Sequence, residues 1–499
     1  MTGRRSVYFL SALLGCACSN SAPALLAPPP TAAGSPSNAA GANAQPVVAP
    51  AGTGAGHAAL GSNGGAGASG VGALPVLDAG LAASGAGAML AAGSVAPPPS
   101  SAPDSADALR KLDAYLGMPR ATRPELGMQS FAAVPLSKDA AATASQRLWE
   151  DYAQFVRDSR MAEVGATESV VRSIPGPKYS LRYYLARRGA NPPGGRSLFI
   201  SMHGGGNAGA STNDSQWKNQ LVLVDDYKPT DAVWVAPRAP IDDWNMWFVE
   251  GMDALFDRLI TDMIVFEGVN PNKVYITGYS AGGDGVYQLG PRMAERWAGA
   301  GMSAGHPNSA SPLSLRNVAF AIHVGGDDTA YDRNKKAEEW GKRLEMLAAA
   351  DPGGYVNQWQ VHAGLPHWMN MEDAVSVPFM QNHTRDPIPK KIVWEQADIT
   401  RAHAYWLAVD ASNQVRGSLI EASYDAQGVN LSMVKSVKRI MIRLSDAMLN
   451  LDAQLRVLSG STQLFSGSVP RTIAVLGRTL EESGDPALMF CSEVVVQVP

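Results

Sequence analysis

A long stretch with almost no charged or aromatic residues opens the chain and restricts where it can fold. Between Arg5 and Asp104 a single aspartate is the only charged side chain, and no Phe, Tyr or Trp occurs between Phe9 and Tyr115. Such a segment buries too little to offset the entropy of ordering its backbone. We therefore expect residues 20–104, rich in Ala, Gly, Pro and Ser, to form a disordered linker that precedes the folded part.

The first 19 residues have the order of an export signal. Arg4 and Arg5 precede an apolar run too short to span a bilayer permanently, and small residues follow it. Leu13-Leu14-Gly15-Cys16 resembles the lipobox of bacterial lipoproteins, which implies cleavage before Cys16 and acylation of that residue. An ordinary secretory signal cut elsewhere is the alternative. We expect an exported protein, anchored by lipid to a membrane of the bacterial cell envelope, at the outer membrane or cell surface rather than in the cytoplasm.

The charge balance argues against a nucleic-acid-binding protein, and the number of cysteines argues against a fold held by disulfides. The chain has 41 basic and 45 acidic residues, a formal net charge of −4, whereas a nucleic-acid binder needs a strongly basic surface. Outside the signal region Cys491 is the only cysteine, so the folded part can form no intramolecular disulfide.

Short apolar runs alternate with amphipathic helical patterns after the linker. A helix is predicted at 143–158, and further helices begin near Met252 and at residue 334. The predicted strands are 180–185, 197–202, 232–236, 274–277, 319–324 and 355–361. This alternation indicates the α/β class, with a mostly parallel sheet covered by helices on both faces. We assign residues 105–389 to one α/β domain.

The pattern changes after residue 389. Strands are predicted at 404–409, 418–424, 438–444, 455–458 and 493–498, with one short helix near 472–481. We assign residues 390–499 to a separate small β-rich domain. Aromatic residues are too few here for a polysaccharide-stacking surface, which favours a supporting or docking role.

The sequence Gly278-Tyr279-Ser280-Ala281-Gly282 follows an apolar strand and opens into a helical pattern. A G-x-S-x-G in that setting is typical of a nucleophile elbow, whose sharp turn needs the flanking glycines. It predicts Ser280 as a nucleophile. The alternative is a tight strand–helix turn that happens to contain serine.

An oxyanion-binding loop is predicted upstream of the elbow. The strand 197–202 runs into His203-Gly204-Gly205-Gly206, and glycines allow backbone amides to approach a substrate carbonyl closely. The predicted donors are the amides of Gly204, Gly205 and Ala281. A phosphate-binding loop is the alternative, but the glycine spacing and the P-loop Lys-Ser/Thr pair are missing.

A serine nucleophile needs a base, and the base needs an orienting carboxylate. Asp327 and Asp328 follow the strand 319–324, and His367 follows the strand 355–361, so both kinds of group lie at strand ends. His362 competes as the base, but it falls at the end of the strand pattern itself. Among the other histidines, His203 more often shapes the oxyanion loop than acts as a base, and His306 and His323 form no cluster with another His or Cys. We therefore expect no metal and no cofactor.

Several tryptophans lie near these motifs. Trp244 and Trp247 follow the strand 232–236, and Trp368 follows the candidate base. We predict that all three line a substrate pocket. The alternative for Trp244 and Trp247 is that they cover the helix that begins near Met252.

The four motifs MHGGG, GYSAGG, GGDDT and GLPHWM, in this order, resemble the α/β-hydrolase superfamily over residues 180–385. The similar branches are the esterase or polyhydroxybutyrate-depolymerase-like and dienelactone-hydrolase-like ones, related to prolyl-oligopeptidase catalytic domains. The resemblance implies an ester hydrolase with a Ser-His-Asp triad, an acyl-enzyme, and a small-molecule or polymeric ester as substrate. Its terminal Asp-Thr match places the acid at Asp328, although Val324-Gly325-Gly326 stands where the family commonly has His-Gly-Asp.

Two other functions fit parts of the pattern. A peptidase of the prolyl-oligopeptidase type shares this machinery, but it usually carries a β-propeller, and no repeat array precedes the motifs here. A non-catalytic, surface-binding lipoprotein on a hydrolase scaffold is the second alternative.

Overall fold

The computed structural model describes residues 102–164 and 170–499. The predicted signal, the candidate lipidation site Cys16 and nearly all of the predicted linker lie outside these residues. The first helix, α1, spans Ala102–Leu116 and thus begins just before residue 104, where the linker is predicted to end. α2 follows at Lys138–Val164 and contains the predicted helix 143–158.

The centre of the molecule is an eight-stranded sheet with the strand order β1-β2-β4-β3-β5-β6-β7-β8. β1 and β2 run antiparallel to their neighbours, and β3 to β8 are mutually parallel. The predicted mostly parallel sheet is confirmed, and this is an α/β-hydrolase fold. Its strands are β1 (Arg172–Pro175), β2 (Ser180–Arg188), β3 (Arg196–Met202), β4 (Ala232–Arg238), β5 (Val269–Tyr279), β6 (Gly299–Ser303), β7 (Ala319–Gly325) and β8 (Asn357–His362).

Helices cover both faces of this sheet, as predicted. Alternate residues of β3 enter different cores: Leu198 and Ile200 pack on the α5 and α6 side, and Phe199 packs on the α4 and α8 side. Because both faces are covered, the central strands are continuous apolar runs. The helices are α3 (Ala210–Val222), α4 (Val224–Tyr227), α5 (Met252–Glu267), α6 (Ala281–Arg292), α7 (Arg333–Ala350) and α8 (Ser376–Gln381).

The C-terminal residues add two smaller sheets, with orders β10-β11-β14-β17 and β16-β15-β13-β12-β9. The predicted strand 404–409 is wrong, because a turn at Tyr405 (φ 53°) splits it into β10 and β11. The strands are β9 (Lys391–Glu395), β10 (His403–Ala404), β11 (Leu407–Ala408), β12 (Leu419–Asp425), β13 (Gly428–Lys435), β14 (Arg439–Leu444), β15 (Leu455–Ser459), β16 (Thr462–Gly467) and β17 (Ser492–Gln497). The single predicted helix is α9 (Ile473–Ser483), whose first turn is capped by the Thr472 hydroxyl.

Near the predicted domain boundary at residue 389 the chain passes from the large sheet to the smaller sheets. The hydrophobic core continues across this boundary. Core residues of the large sheet and of the two small sheets belong to one continuous hydrophobic cluster. A set of buried or half-buried ion pairs, which we call the interlayer ion cluster, also crosses this boundary. Its members are Asp253, Asp257, Arg292, Glu295, Arg296, Arg385, Arg401 and Asp485.

Within the described part of the chain, no helix combines the length and the apolar character needed to cross a bilayer.

Candidate active site

Ser280 lies at the sharp turn between β5 and α6. Its backbone has φ 57° and ψ −121°, a conformation that residues with a Cβ rarely adopt. Two backbone hydrogen bonds hold the turn: Ser280 N donates to Ser303 O at 2.9 Å, and Asp284 N donates to Ser280 O at 2.9 Å. This is the strand–turn–helix geometry of a nucleophile elbow.

Glycines flank Ser280 because no side chain fits beside it. A Cβ on Gly278 would overlap the carbonyl oxygen of Gly282, and a Cβ on Gly282 would overlap the carbonyl oxygen of Met202. A larger residue at Gly278 would push away the first turn of α6, and one at Gly282 would push the elbow away from the end of β3. The turn can therefore form only with glycine at both positions.

His367 lies on the loop after β8 and reaches the serine. Its Nε2 is 3.0 Å from Ser280 Oγ. The Tyr279 hydroxyl donates to the carbonyl oxygen of His367 at 2.7 Å, and its ring meets the imidazole edge-on. The residue before the candidate nucleophile thus fixes the loop that carries the candidate base.

Asp328 lies on the loop after β7 and contacts His367. Ser280, His367 and Asp328 thus form a chain of hydrogen-bond contacts, which we call the relay. The Oδ2 atom of Asp328 is 2.6 Å from His367 Nδ1, and the Asp328 side chain is buried. Arg333 Nη1 donates to the other carboxylate oxygen at 3.5 Å. Asp327, the alternative acid, has an exposed side chain, and its amide donates to Leu365 O at 2.9 Å. Of the two candidate acids, the structure brings Asp328 to the imidazole.

The competing histidine occupies a different environment. His362 ends β8 and is buried, and its Nε2 lies 3.1 Å from Nδ1 of His323. The pKa of His323 is lowered to about 4, mainly by burial and to a smaller extent by the neighbouring His362. The two imidazoles therefore pair with each other inside the fold.

The loop after β3 packs directly against the elbow. A Cβ on Gly204 would lie 3.2 Å from the Cβ of Ser280, so the main chain of this loop passes next to the nucleophile. Ala281, the first residue of α6, has an amide with no acceptor inside its helix. The predicted oxyanion donors Gly204, Gly205 and Ala281 thus lie around Ser280, and their catalytic role stays a prediction.

His203 holds the oxyanion loop and is unsuited to act as a base. Its Nε2 accepts from Ala239 N at 3.1 Å, and its Nδ1 lies 2.6 Å from Gly204 O, which fixes a neutral imidazole with the proton on Nδ1. Burial lowers its pKa to about 3. The imidazole of His203 is therefore neutral at pH values well above 3.

Asn213 supports the same loop and was not singled out from the sequence. Its Oδ1 accepts from Gly206 N at 3.2 Å, and its Nδ2 donates to Ala208 O at 3.0 Å and to Asp242 Oδ1 at 2.7 Å. The side chain is fully buried. Asn213 thus joins the loop that precedes its own helix, through Gly206 and Ala208, to the loop after β4, through Asp242, and no sequence motif marks such a residue.

The three tryptophans predicted to line a pocket have different positions. Trp247 is fully buried, and its indole donates to His203 O at 2.9 Å. Its predicted pocket role is wrong, because it packs beneath the oxyanion loop and against Phe256 of α5. Trp244 is 56% exposed, and Trp368 is partly buried against Tyr279, with ring centroids 5.3 Å apart.

A cavity of about 740 Å³ lies away from this site and is bounded by α1, α2 and α9. Two of its charged side chains, Arg123 and Asp151, pair with each other at 2.6 Å. None of the predicted catalytic, oxyanion-binding or pocket residues lines this cavity.

The arrangement can perform nucleophilic acyl transfer. A hydroxyl faces an imidazole, a carboxylate faces the far nitrogen of that imidazole, and backbone amides lie beside the hydroxyl. Among residues 102–164 and 170–499, no three potential metal ligands lie together.

No family model matches the chain, and no curated protein matches it. Solved structures do resemble part of it. A thermostable esterase is 16% identical over 43% of this chain, with a TM-score of 0.32, and this chain spans 63% of that protein. The poly(3-hydroxybutyrate) depolymerase from Bordetella parapertussis is 15% identical over 47% of this chain and 96% of its own, with a TM-score of 0.34.

A third similar structure is the acetyl xylan esterase from Aspergillus awamori. It is 12% identical over 42% of this chain and 100% of its own length, with a TM-score of 0.31. These similarities are too weak to transfer an activity. The function of this chain therefore rests on the geometry of its own site.

Proposed function

We propose that the protein is a serine hydrolase that cleaves carboxylic esters through a covalent acyl-enzyme. The observation that carries this proposal is the unbroken relay from Ser280 Oγ to His367 Nε2 at 3.0 Å and from His367 Nδ1 to Asp328 at 2.6 Å. The three groups come from three loops that are distant in sequence. Such convergence is what a nucleophile, a base and an orienting acid require.

In the first half of the reaction, Ser280 Oγ attacks the ester carbonyl carbon. Its proton passes to Nε2 of His367, and Asp328 stabilises the imidazolium through Nδ1–H. The tetrahedral intermediate collapses with breakage of the bond to the alcohol oxygen. His367 then protonates the leaving alcohol, and the acyl group remains on Ser280.

In the second half, water replaces the alcohol. His367 takes a proton from the water, whose oxygen attacks the acyl carbon, and the collapse of the second intermediate returns the proton to Ser280 Oγ. The products are a carboxylic acid and the free serine. No metal or cofactor is needed for either half.

The oxyanion is held by backbone amides. Ala281 supplies one amide from the first turn of α6, and the Gly204–Gly205 segment supplies the other. Each donor of this kind contributes about 3–4 kcal/mol to lowering the barrier.

The test is the variant Ser280→Ala, assayed on p-nitrophenyl acetate and with a fluorophosphonate probe. We expect turnover to fall by at least about 10⁴-fold and labelling to disappear, because both need the Ser280 hydroxyl. Ser412→Ala, which removes an exposed hydroxyl far along the chain, is the matched control and should retain both.

Three results would contradict the proposal. Parental turnover by Ser280→Ala would show that the nucleophile is elsewhere. Activity confined to peptides would support a peptidase of the prolyl-oligopeptidase type. A folded parental protein that reacts with neither substrate nor probe would be a non-catalytic scaffold.

We further propose that the hydrolase is exported and tethered by an acylated Cys16. The basis is the sequence order of a charged start, an apolar run and Leu-Leu-Gly-Cys, followed by a linker. Expressed in a bacterium fed an alkyne fatty acid, the parental protein should incorporate the label and enter the membrane fraction. Cys16→Ser should lose both properties, whereas Cys18→Ser should keep them. Labelling of Cys16→Ser would overturn the proposal.

A further inference from the structure

Tyr331 has an unfavourable backbone conformation on the loop that carries the candidate acid. Its φ and ψ are 57° and 22°, and those of the next residue, Asp332, are 55° and 30°. Both values lie in the left-handed region, where a Cβ collides with the following carbonyl. Two consecutive residues other than glycine in this region are unusual, and such strain persists only where the surroundings enforce it or function uses it.

Burial does not account for this conformation. The Tyr331 side chain is 77% exposed, so the ring gains little from the hydrophobic effect. Its contact within the fold is the Arg333 guanidinium, which lies 4.9 Å from the ring centroid. A cation–π contact at an exposed position is weak. The strained residue therefore presents a flat aromatic face to solvent.

The position of that face links it to the active site. Arg333, which lies over the Tyr331 ring, also donates to Asp328 Oδ1 at 3.5 Å. The guanidinium thus connects the exposed ring to the acid of the relay. Tyr331 itself lies on the acid loop, three residues after Asp328.

A second exposed aromatic residue lies on the oxyanion side of the site. A Cβ on Gly206 would lie 3.0 Å from the Cβ of Ala281 and 3.6 Å from the Cα of Trp244, so Trp244 adjoins the elbow. Among the described residues, three aromatic side chains are at least about one-third exposed: Phe155, Trp244 and Tyr331. Two of these three belong to the loops that form the candidate active site.

We propose that Tyr331 is a specificity-determining residue that receives a flat ring of the ester substrate beyond the scissile bond, with Trp244 on the opposite side of the site. This inference rests on the proposed ester hydrolase function. The left-handed backbone holds the tyrosine ring out of the fold and available to the ligand. The left-handed backbone at Tyr331 lowers the stability of the fold, and in return the exposed ring can bind the substrate.

The decisive variant is Tyr331→Gly, because glycine adopts φ near 57° without strain and has no ring. We expect its Tm to rise by about 2 °C. We also expect KM for phenyl acetate to rise by about 3- to 10-fold with kcat unchanged, the size of one aromatic contact. KM for ethyl acetate should not change. Tyr331→Phe, which keeps the ring, should behave as the parent with both esters.

Lys228→Gly is the matched control for backbone strain. Lys228 is exposed at the end of α4 with φ 48°, so this change also relieves a left-handed residue, away from the active-site loops. It should raise Tm in the same way and leave every KM unchanged. A glucose pentaacetate series tells a sugar ring from an aryl ring, according to which KM responds to Tyr331→Gly.

Binding measured without turnover separates this inference from the proposed function. In a Ser280→Ala background, calorimetry with phenyl acetate should show weaker binding after Tyr331→Gly and unchanged binding after Tyr331→Phe. If Tyr331→Gly alters all esters equally, alters none, or lowers Tm, the role of Tyr331 is refuted even when the esterase activity is established. If the parent cleaves no ester, the proposed function fails, and the calorimetric comparison still decides the role of the ring.

Discussion

The Asp284 carboxyl group lies one helical turn after Ser280 and is enclosed by the loop after β6. Its Oδ1 accepts from His306 N at 2.6 Å. Burial raises the pKa of Asp284 to about 6, against the opposing effects of the His306 amide and of Arg333. At neutral pH the fold therefore contains a carboxylate that burial disfavours, close to the candidate nucleophile.

Asp284→Asn should stabilise the protein at neutral pH. An unfolded aspartate loses its proton near pH 4, whereas the folded one keeps it to about pH 6. Stability from this group is therefore fully present below pH 4, is lost as the pH rises from 4 to 6, and stays lost above 6. We expect the variant to gain up to about 3 kcal/mol in its free energy of unfolding at pH 7 and nothing at pH 4, measured in urea.

Asp327→Asn is the matched control for this prediction. Its side chain is exposed on the neighbouring acid loop, so its removal should change stability equally little at both pH values. A loss of stability by Asp284→Asn at pH 7 would mean that the carboxylate contributes a favourable contact rather than a desolvation cost.

At the residue scale, the sequence was sufficient for groups that local motifs mark and insufficient for side chains that no motif marks. Ser280 and His367 stand in short patterns at strand ends, and the structure brings them together. Asn213 and Arg333 stand in no such pattern, because each lies in the first turn of a helix and the sequence does not show which groups its side chain reaches. The pocket role of Trp247 failed for a related reason, since clustering in sequence does not tell a buried ring from an exposed one.

At the element scale, strands covered on both faces were the easiest to predict. β3, β4 and β7 are continuous apolar runs, as a buried parallel strand requires. β6 was missed because its sequence Gly-Ala-Gly-Met-Ser lacks the bulky residues of a typical strand. The small residues leave room for α8: a Cβ on Gly301 would lie 2.9 Å from the Met380 methyl of that helix, so the Met380 side chain would have to move.

At the scale of the whole molecule, the interlayer ion cluster joins the eight-stranded sheet and its helices to the two C-terminal sheets. It contains four arginines and four carboxylates, so its charges balance. Arg401 lies between β9 and β10 and contacts Glu295 at 2.7 Å and Asp257 at 3.2 Å. Asp257 belongs to α5 and Glu295 to the turn after α6, so both carboxylates lie in the part of the chain that covers the large sheet.

Arg401→Met should destabilise the protein by about 3–5 kcal/mol, because removing one partner leaves the buried Glu295 carboxylate without its cation. Lys342→Met is the control: its pair with Glu338 on α7 is solvent-exposed and should contribute less than about 1 kcal/mol. Urea unfolding of both variants at pH 7 measures the difference. Equal losses would mean that the cluster is no more important than a surface pair.

The same cluster determines how this protein can be recombined with others. Arg385, Arg401 and Asp485 come from the part of the chain after α8, and their counterparts come from α5, α6 and the turn after α6. Grafting residues 390–499 onto an unrelated hydrolase would transfer an arginine and an aspartate without the groups that neutralise them. The C-terminal sheets of this protein therefore cannot be transferred alone, and any chimera must exchange both sides of the interlayer ion cluster together.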